Sequence, residues 1–192
     1  MRTELPIAMS NRHCHLTKED IDVLFGEGYQ LTPIKDLSQP HQFASDELVE
    51  IKGPKGSISG VRVLGPARTA SQVEVLASDC YKLGIPIVIR ESGKLSESPS
   101  VSVIGPKGTI ELKQGAIVAA RHIHMNVQEA KDFNVENGEI VNVEVDGPRG
   151  LIFKDVLVRS GDTHALEMHV DTEEGNAAGV KNGQLVKLIK LK

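Results

Sequence analysis

Three tetrapeptides of one pattern punctuate the chain: Gly53-Pro54-Lys55-Gly56, Gly105-Pro106-Lys107-Gly108 and Gly147-Pro148-Arg149-Gly150. Proline presets φ and the second glycine is expected to supply a positive φ, so each tetrapeptide should close a β-hairpin. The runs around them are short and rich in Val and Ile. Segments 48–51, 59–63, 87–89, 101–104, 109–112, 117–120, 140–145, 151–153, 156–158 and 185–189 read as strands. Strands this short at this spacing fit barrels or sandwiches rather than a doubly wound sheet. Helices are few. Thr17 can cap a helix over 18–25 that stops at Gly26 and Gly28, and Asn126 with Glu129 forms a capping-box signature for 127–133. Segment 71–83 reads either as a third helix or, through Val73, Val75 and Leu76, as a strand.

A second pattern says what the strands carry. Arg12-His13-Cys14-His15 returns as Arg121-His122-Ile123-His124, and the two tetrads use four of the seven histidines. On a strand, side chains at i and i+2 share a face, under ~7 Å apart. Each tetrad therefore presents two imidazoles side by side, as a chelated transition metal requires. The spacing is 109 residues for both histidines (122 − 13 and 124 − 15). Each tetrad leads into a capped helix and then a Gly turn. Further on, Val49-Glu50-Ile51-Lys52-Gly53-Pro54 lies over Val143-Glu144-Val145-Asp146-Gly147-Pro148 at a shorter offset, the first copy holding an extra stretch near 31–45. Residues 78–84 lie over 173–179 at about the same displacement. The chain thus reads as two related β-rich halves, 1–94 and 95–192, joined in the Ser- and Gly-rich loop 91–100. Facing copies would turn both histidine pairs toward one cleft.

Composition excludes several classes of function. A net charge of −4 with acids and bases interspersed gives no nucleic-acid stripe and no membrane-surface patch. Tryptophan is absent and aromatics make up 3% of the chain, too few for base-stacking platforms. No apolar run approaches the ~20 residues of a membrane span. Cys14 and Cys80 form neither a disulfide framework nor a zinc-ribbon spacing. The N-terminal residues lack an apolar signal region, which points to the cytoplasm.

The repeat brings further residues into view. Glu74 falls within a residue of His169 by the alignment (169 − 74 = 95). Two imidazoles, a third histidine and a carboxylate would complete a tetrahedral zinc site. Against that, Glu74 reads equally as a solvated carboxylate, and His169, among acids, as a surface ion-pair partner. Arg68 follows Gly65-Pro66-Ala67 and suits bidentate phosphate binding, or else is an ordinary surface arginine. His41 and His164 have no partner pattern and read as structural or solvated. Alternation turns Cys14 away from His13 and His15, which makes it a soft-metal ligand or an inert thiol before a nucleophile. His122-Ile123-His124 followed by Glu129 also fits the ligand spacing of cupins, although Glu129 reads as a helix-cap residue. A cupin-like oxygenase and a non-catalytic metal-binding module are therefore the alternatives to a zinc enzyme.

Four stretches carry a resemblance along essentially the whole chain: Asn11-Arg12-His13-Cys14-His15-Leu16-Thr17; Gly65-Pro66-Ala67-Arg68 with Gln72-Val73-Glu74-Val75; Ala120-Arg121-His122-Ile123-His124-Met125; and Met168-His169-Val170-Asp171-Thr172 through Asn176-Ala177-Ala178. In these the chain resembles the PduL-type phosphotransacylases (phosphate propanoyltransferases). The resemblance implies a mainly β fold, two related small β-barrels with short capping helices and the active site between them. It implies two zinc ions per chain, one on His122, His124, His169 and Glu74, the other on His13 and His15, the latter contacting the CoA sulfur. Arg68 matches the arginine that holds phosphate. The reaction implied interconverts a short-chain acyl-CoA (acetyl- or propanoyl-CoA) and inorganic phosphate with acyl phosphate and coenzyme A. The resemblance also implies a homodimer serving propanediol degradation or acetate metabolism. The family's Asp-Thr-Asp-Glu-Ala-Asn run reads Asp171-Thr172-Glu173-Glu174-Gly175-Asn176 here, and Lys94 stands where an acid is expected. The first tetrad follows only about ten residues of chain, so a cytosolic member is expected rather than one with an encapsulation extension.

Overall fold

A computed structural model describes residues 2–190. In chain order its elements are β1 (Glu4–Ser10), β2 (His13–His15), α1 (Lys18–Phe25), β3 (Pro33–Asp36), β4 (Phe43–Lys52), β5 (Ser57–Gly65), β6 (Gln72–Glu74), α2 (Ala77–Leu83), β7 (Ile89–Arg90), β8 (Val101–Ile104), β9 (Thr109–Leu112), β10 (Ala116–Ala119), β11 (His122–Met125), α3 (Val127–Phe133), β12 (Ile140–Val145), β13 (Leu151–Ser160), β14 (Glu167–Asp171), α4 (Thr172–Ala178) and β15 (Leu185–Lys190). The fold is mainly β, as expected. Its contacts form two compact units that interleave along the chain: residues 1–11, 38–40 and 120–192, and residues 12–37 and 41–119.

The first unit is a closed barrel in the order β1-β14-β11-β13-β12-β15. Strand β1 closes it, pairing parallel with β14 (Ile7 opposite Met168) and antiparallel with β15 (Leu5 opposite Val186). Alternation turns Leu5, Ile7, Ile123, Met125, Val141, Val143, Val156, Val158 and Met168 inward, all wholly buried. The second unit is an open sheet, β7-β10-β6-β2-β5-β4-β8-β9, with β3 paired to β4. Only one of the two expected barrels therefore closes. The reason lies in the strand equivalent to β1. That strand, β10, has four residues and bonds to β6 and the two-residue β7, so nothing completes the ring.

The Gly-Pro tetrapeptides close the β4–β5, β8–β9 and β12–β13 turns, but not by the expected geometry. Gly56, Gly108 and Gly150 do not take positive φ; among these turn glycines Gly147 does, at 139°. The first two turns sit against helix ends. The Lys55 N–H donates to Leu83 O (3.0 Å) and the Lys107 N–H to Leu24 O (3.0 Å), satisfying carbonyls that α2 and α1 leave open. A Cβ on Gly53 would stand 2.3 Å from Leu83 O and one on Gly105 2.5 Å from Leu24 O. The glycines permit close approach rather than an unusual φ. At the third turn Arg149 Nε reaches Ala177 O in α4 at 3.2 Å.

Helix starts follow the capping signals. Thr17 Oγ1 accepts the Asp20 N–H (3.1 Å), and Asn126 and Glu129 exchange bonds of 2.8 Å each as a capping box. Segment 71–83 resolves the open choice by being both, strand β6 then helix α2. Expected strands 151–153 and 156–158 are one strand, β13. Helix α4 was not expected, although Asp171 and Glu174 form a capping box like that of α3.

Candidate functional site

The two tetrads sit in equivalent frames. Strand β2 runs parallel to β5 and antiparallel to β6, which sets His13 opposite Glu74 and His15 opposite Gln72. Strand β11 runs parallel to β13 and antiparallel to β14, which sets His122 opposite His169 and His124 opposite Glu167. Glu74 and His169 are thus the same position in the two copies. Each tetrad's arginine is tied to the N3 acid of the helix after the antiparallel strand. Arg12 Nε meets Asp79 Oδ2 of α2 at 2.7 Å, and Arg121 Nε meets Glu174 Oε1 of α4 at 3.2 Å.

In the second unit the His13 and His15 rings lie edge to face, centroids 5.0 Å apart. His13 Nε2 is 3.4 Å from Glu74 Oε2. Among the described residues, the group of three such donors lying within 4.8 Å of one another is His13, His15 and Glu74. The resemblance grouped Glu74 with the other histidines; its carboxylate here adjoins the first pair. Burial, with His13 and Arg68 nearby, pushes His15 down to about 3, so its imidazole is neutral. Arg68 Nη1 donates to Ser92 Oγ (3.2 Å). The expected linker loop is therefore bonded to Arg68, and Lys94 in it pairs with Glu91 at 2.6 Å. Cys14 faces the core, wholly buried, and burial pushes its thiol up to about 12. That fits the inert-thiol reading.

In the first unit His122 and His169 stack with centroids 5.2 Å apart, and His124 meets both edge-on at 4.6 and 5.1 Å. His122 Nδ1 lies 2.9 Å from Ala120 O, which holds the proton on that nitrogen and makes Nε2 an acceptor. Nε2 faces His124 Nε2 at 3.0 Å. Burial, helped by His122 and His169, pushes His124 down to about 2. Glu167 Oε2 stands 3.1 Å from His169 Nε2 and also accepts from the Ser38 hydroxyl. Burial opposes ionisation of Glu167, yet the bonds from His169 and Ser38 outweigh it and hold its carboxyl below the usual range.

Sequence reasoning missed several of these residues. His164 lies in the second cluster, its ring 4.4 Å from that of His124 and its Nδ1 3.0 Å from Arg159 O. Gln72, Ser92, Ser38 and Glu167 were also missed. Only Gln72 and Glu167 left a signal, each two residues before a proposed ligand on the same strand. Glu129, the ligand that cupin spacing would require, is occupied as the cap of α3.

The donors suit a borderline metal ion. His15 Nδ1 and His124 Nδ1 are buried without a hydrogen-bond partner, a costly state for a polar atom that coordination would relieve. Neutral imidazoles and a carboxylate are zinc's usual nitrogen and oxygen ligands.

Comparison with known proteins gives the family. A sequence model of the phosphate propanoyltransferase family matches residues 6–181. A phosphate propanoyltransferase of Thermotoga maritima is 49% identical over 185 residues, covering 96% of this chain and 88% of its own. One from Leptotrichia buccalis is 50% identical over 178 residues (92% and 84%), and one from Clostridioides difficile 47% identical over 186 (97% and 89%). With the match running through both tetrads, Arg68, Glu74 and His169, the chain belongs to the phosphate propanoyltransferase family and is an acyltransferase.

Proposed function

We propose that this chain is a zinc-dependent phosphate acyltransferase that interconverts acetyl- or propanoyl-CoA plus phosphate with the acyl phosphate plus CoA. The observation that carries the zinc assignment is the pair of equivalent clusters with buried, partnerless ring nitrogens. His13 and His15 hold one ion, His122, His124 and His169 the other, and Glu74 is the carboxylate ligand. When bound, zinc supplies a Lewis acid for the thioester and a soft-anion acceptor for the departing thiolate.

The chain's own residues have the remaining tasks. Phosphate is the nucleophile: its oxygen forms the new bond to the acyl carbon as the C–S bond breaks, and the electron pair leaves with sulfur. No side chain need carry the acyl group, in keeping with two buried cysteines. Arg68 binds the phosphate dianion through its planar guanidinium, and the Ser92 hydroxyl steadies that head. The neutral, buried imidazoles keep their lone pairs available at neutral pH. The same reading makes the protein a homodimeric cytoplasmic enzyme of propanediol or acetate metabolism.

Thiol release from acetyl- and propanoyl-CoA, with and without phosphate, tests the activity, and metal analysis tests the cofactor. Phosphate-dependent release with two zinc ions per chain is expected. His13→Ala should lose one ion and most activity with the fold intact; full occupancy in that variant removes the pair from the ligand set. Arg68→Ala should lower turnover by roughly 10²–10³-fold, as on losing one transition-state donor, without changing metal content. Light scattering reads the oligomeric state.

A further inference from the structure

Gln72 is 2% exposed and sits opposite His15, beside the metal-ligand strand yet outside the ligand set. Its carboxamide is engaged at both ends. Nε2 donates to Glu74 Oε1 (2.7 Å) and to Ser92 Oγ (2.7 Å), while Oε1 accepts the Gly93 N–H (2.8 Å). Ser92 Oγ also accepts from Arg68 Nη1 at 3.2 Å. A hydroxyl has two lone pairs and one proton. With both lone pairs taken, one by the Gln72 amide and one by the Arg68 guanidinium, Ser92 can act toward a third group only as a donor.

We propose that Ser92 and Gln72 complete the phosphate subsite. Gln72 fixes the Ser92 hydroxyl as a donor beside the Arg68 guanidinium, and Ser92 donates its hydrogen bond to an oxygen of the phosphate that Arg68 holds. The proposal rests on the assignment of phosphate binding to Arg68 made above. Ser92 is then a binding residue and Gln72 a positioning residue, which also links the phosphate site to the Glu74 carboxylate. The chemistry asks for an amide. Two donors are used on Glu74 and Ser92 and one acceptor on Gly93; a glutamate would lose both donors and set a second carboxylate against Glu74. The loop is held to the sheet through the same side chain, so the hydroxyl is placed by buried structure rather than by a free loop.

The test is steady-state kinetics on the full-length, zinc-loaded enzyme, with phosphate and propanoyl-CoA varied separately and zinc counted in each variant. Ser92→Ala should raise the KM for phosphate about tenfold, the loss of one hydrogen bond to a charged group. Its KM for propanoyl-CoA should stay within about twofold of the parent, with zinc content unchanged. Ser92→Thr keeps the hydroxyl and should restore most of the phosphate affinity. Gln72→Glu should reproduce the phosphate defect of Ser92→Ala. A parental phosphate KM in Ser92→Ala, or a threonine variant no better than alanine, overturns the proposal. Arg68→Ala separates the two layers. If it raises the phosphate KM while Ser92→Ala does not, only the present inference fails; if Arg68→Ala leaves that KM unchanged, the phosphate site at Arg68 fails and this inference with it.

Discussion

A single step of strand alternation separates the most reactive residues of β2 from its least reactive one. His13 and His15 point to one face and Cys14 to the other, where it is wholly buried among Leu16, Val63 and Val73. Cys80 is also buried. The native protein should therefore show no thiol labelling by an aromatic disulfide reagent at pH 8, and two thiols after denaturation. Rapid labelling of one thiol in the native state would contradict the burial of Cys14. That much was readable from the sequence, because alternation is a local rule. The roles of Gln72, Ser92 and Glu167 were not, even where strand position hinted at Gln72 and Glu167, since a polar side chain takes its role from whatever the fold places against it. Gln72 meets Ser92 across 20 residues of chain and Glu167 meets Ser38 across 129. The second histidine cluster shows the same limit. His122, His124 and His169 were found by pattern, while His164, with no pattern, was found only by position.

At the scale of elements, capping chemistry was the most legible signal and turn geometry the least. Helices α1 and α3 fall where Thr17 and the Asn126–Glu129 box place them. Helix α4 is poorly legible in the sequence because Gly175 and Asn176 are poor helix formers, and its support is tertiary. The turns lie where the tetrapeptides place them, but at the first two the reason for the glycines is a helix end elsewhere in the chain. Gly53→Ala and Gly105→Ala drive a methyl into backbone carbonyls and should each cost about 1–3 kcal/mol in urea unfolding, as overpacking does. Gly161→Ala, whose Cβ would meet nothing closer than 3.5 Å, should stay within about 0.5 kcal/mol of the parent. Equal costs at all three positions would refute the close-approach account. Helix α4 gives a pH test. Burial raises the Glu174 carboxyl above its ordinary 4.5, with Arg121 opposing and Asp171 adding to the rise. The native state then holds a proton that the unfolded chain has already lost. This contribution is fully present below about pH 4.5 and is lost as pH rises through the native value. Glu174→Gln keeps a side-chain acceptor at N3 and removes the titration, so relative to the parent it should gain stability between pH 4.5 and neutrality. Parallel urea midpoints for the two proteins across that range would refute it.

At the scale of the whole molecule, the repeat is visible in sequence but the sharing of strands is not. Strand β1 lies parallel to β14 with Ala8 opposite His169, and β10 lies parallel to β6 with Ile117 opposite Glu74, the same register in each unit. Each unit thus takes the strand that precedes the other unit's tetrad. Chain geometry favours this arrangement. For β1 to occupy the place of β10, it would have to lie on the far side of β6 from β2, two strand spacings or roughly 9.5 Å away. Only two residues separate Ser10 from His13, a link that spans roughly 10–11 Å when fully extended and leaves no slack for reversing direction. A cut at 94/95, the boundary expected from the repeat, would part β1 from the barrel that β1 closes. Leu5 and Ile7 are wholly buried there, and losing them forfeits about 1.5–3 kcal/mol each. That is a large share of the roughly 5–15 kcal/mol that holds a domain together, before counting the unpaired edges of β14 and β15. The fragment 95–192 should therefore show no cooperative thermal transition by circular dichroism. A peptide of residues 1–11 added in excess should restore a transition, saturably and with a midpoint that rises with peptide concentration, because the peptide binds only the folded barrel. A fragment that melts cooperatively without the peptide would show that β1 is dispensable and that the barrel closes by other means.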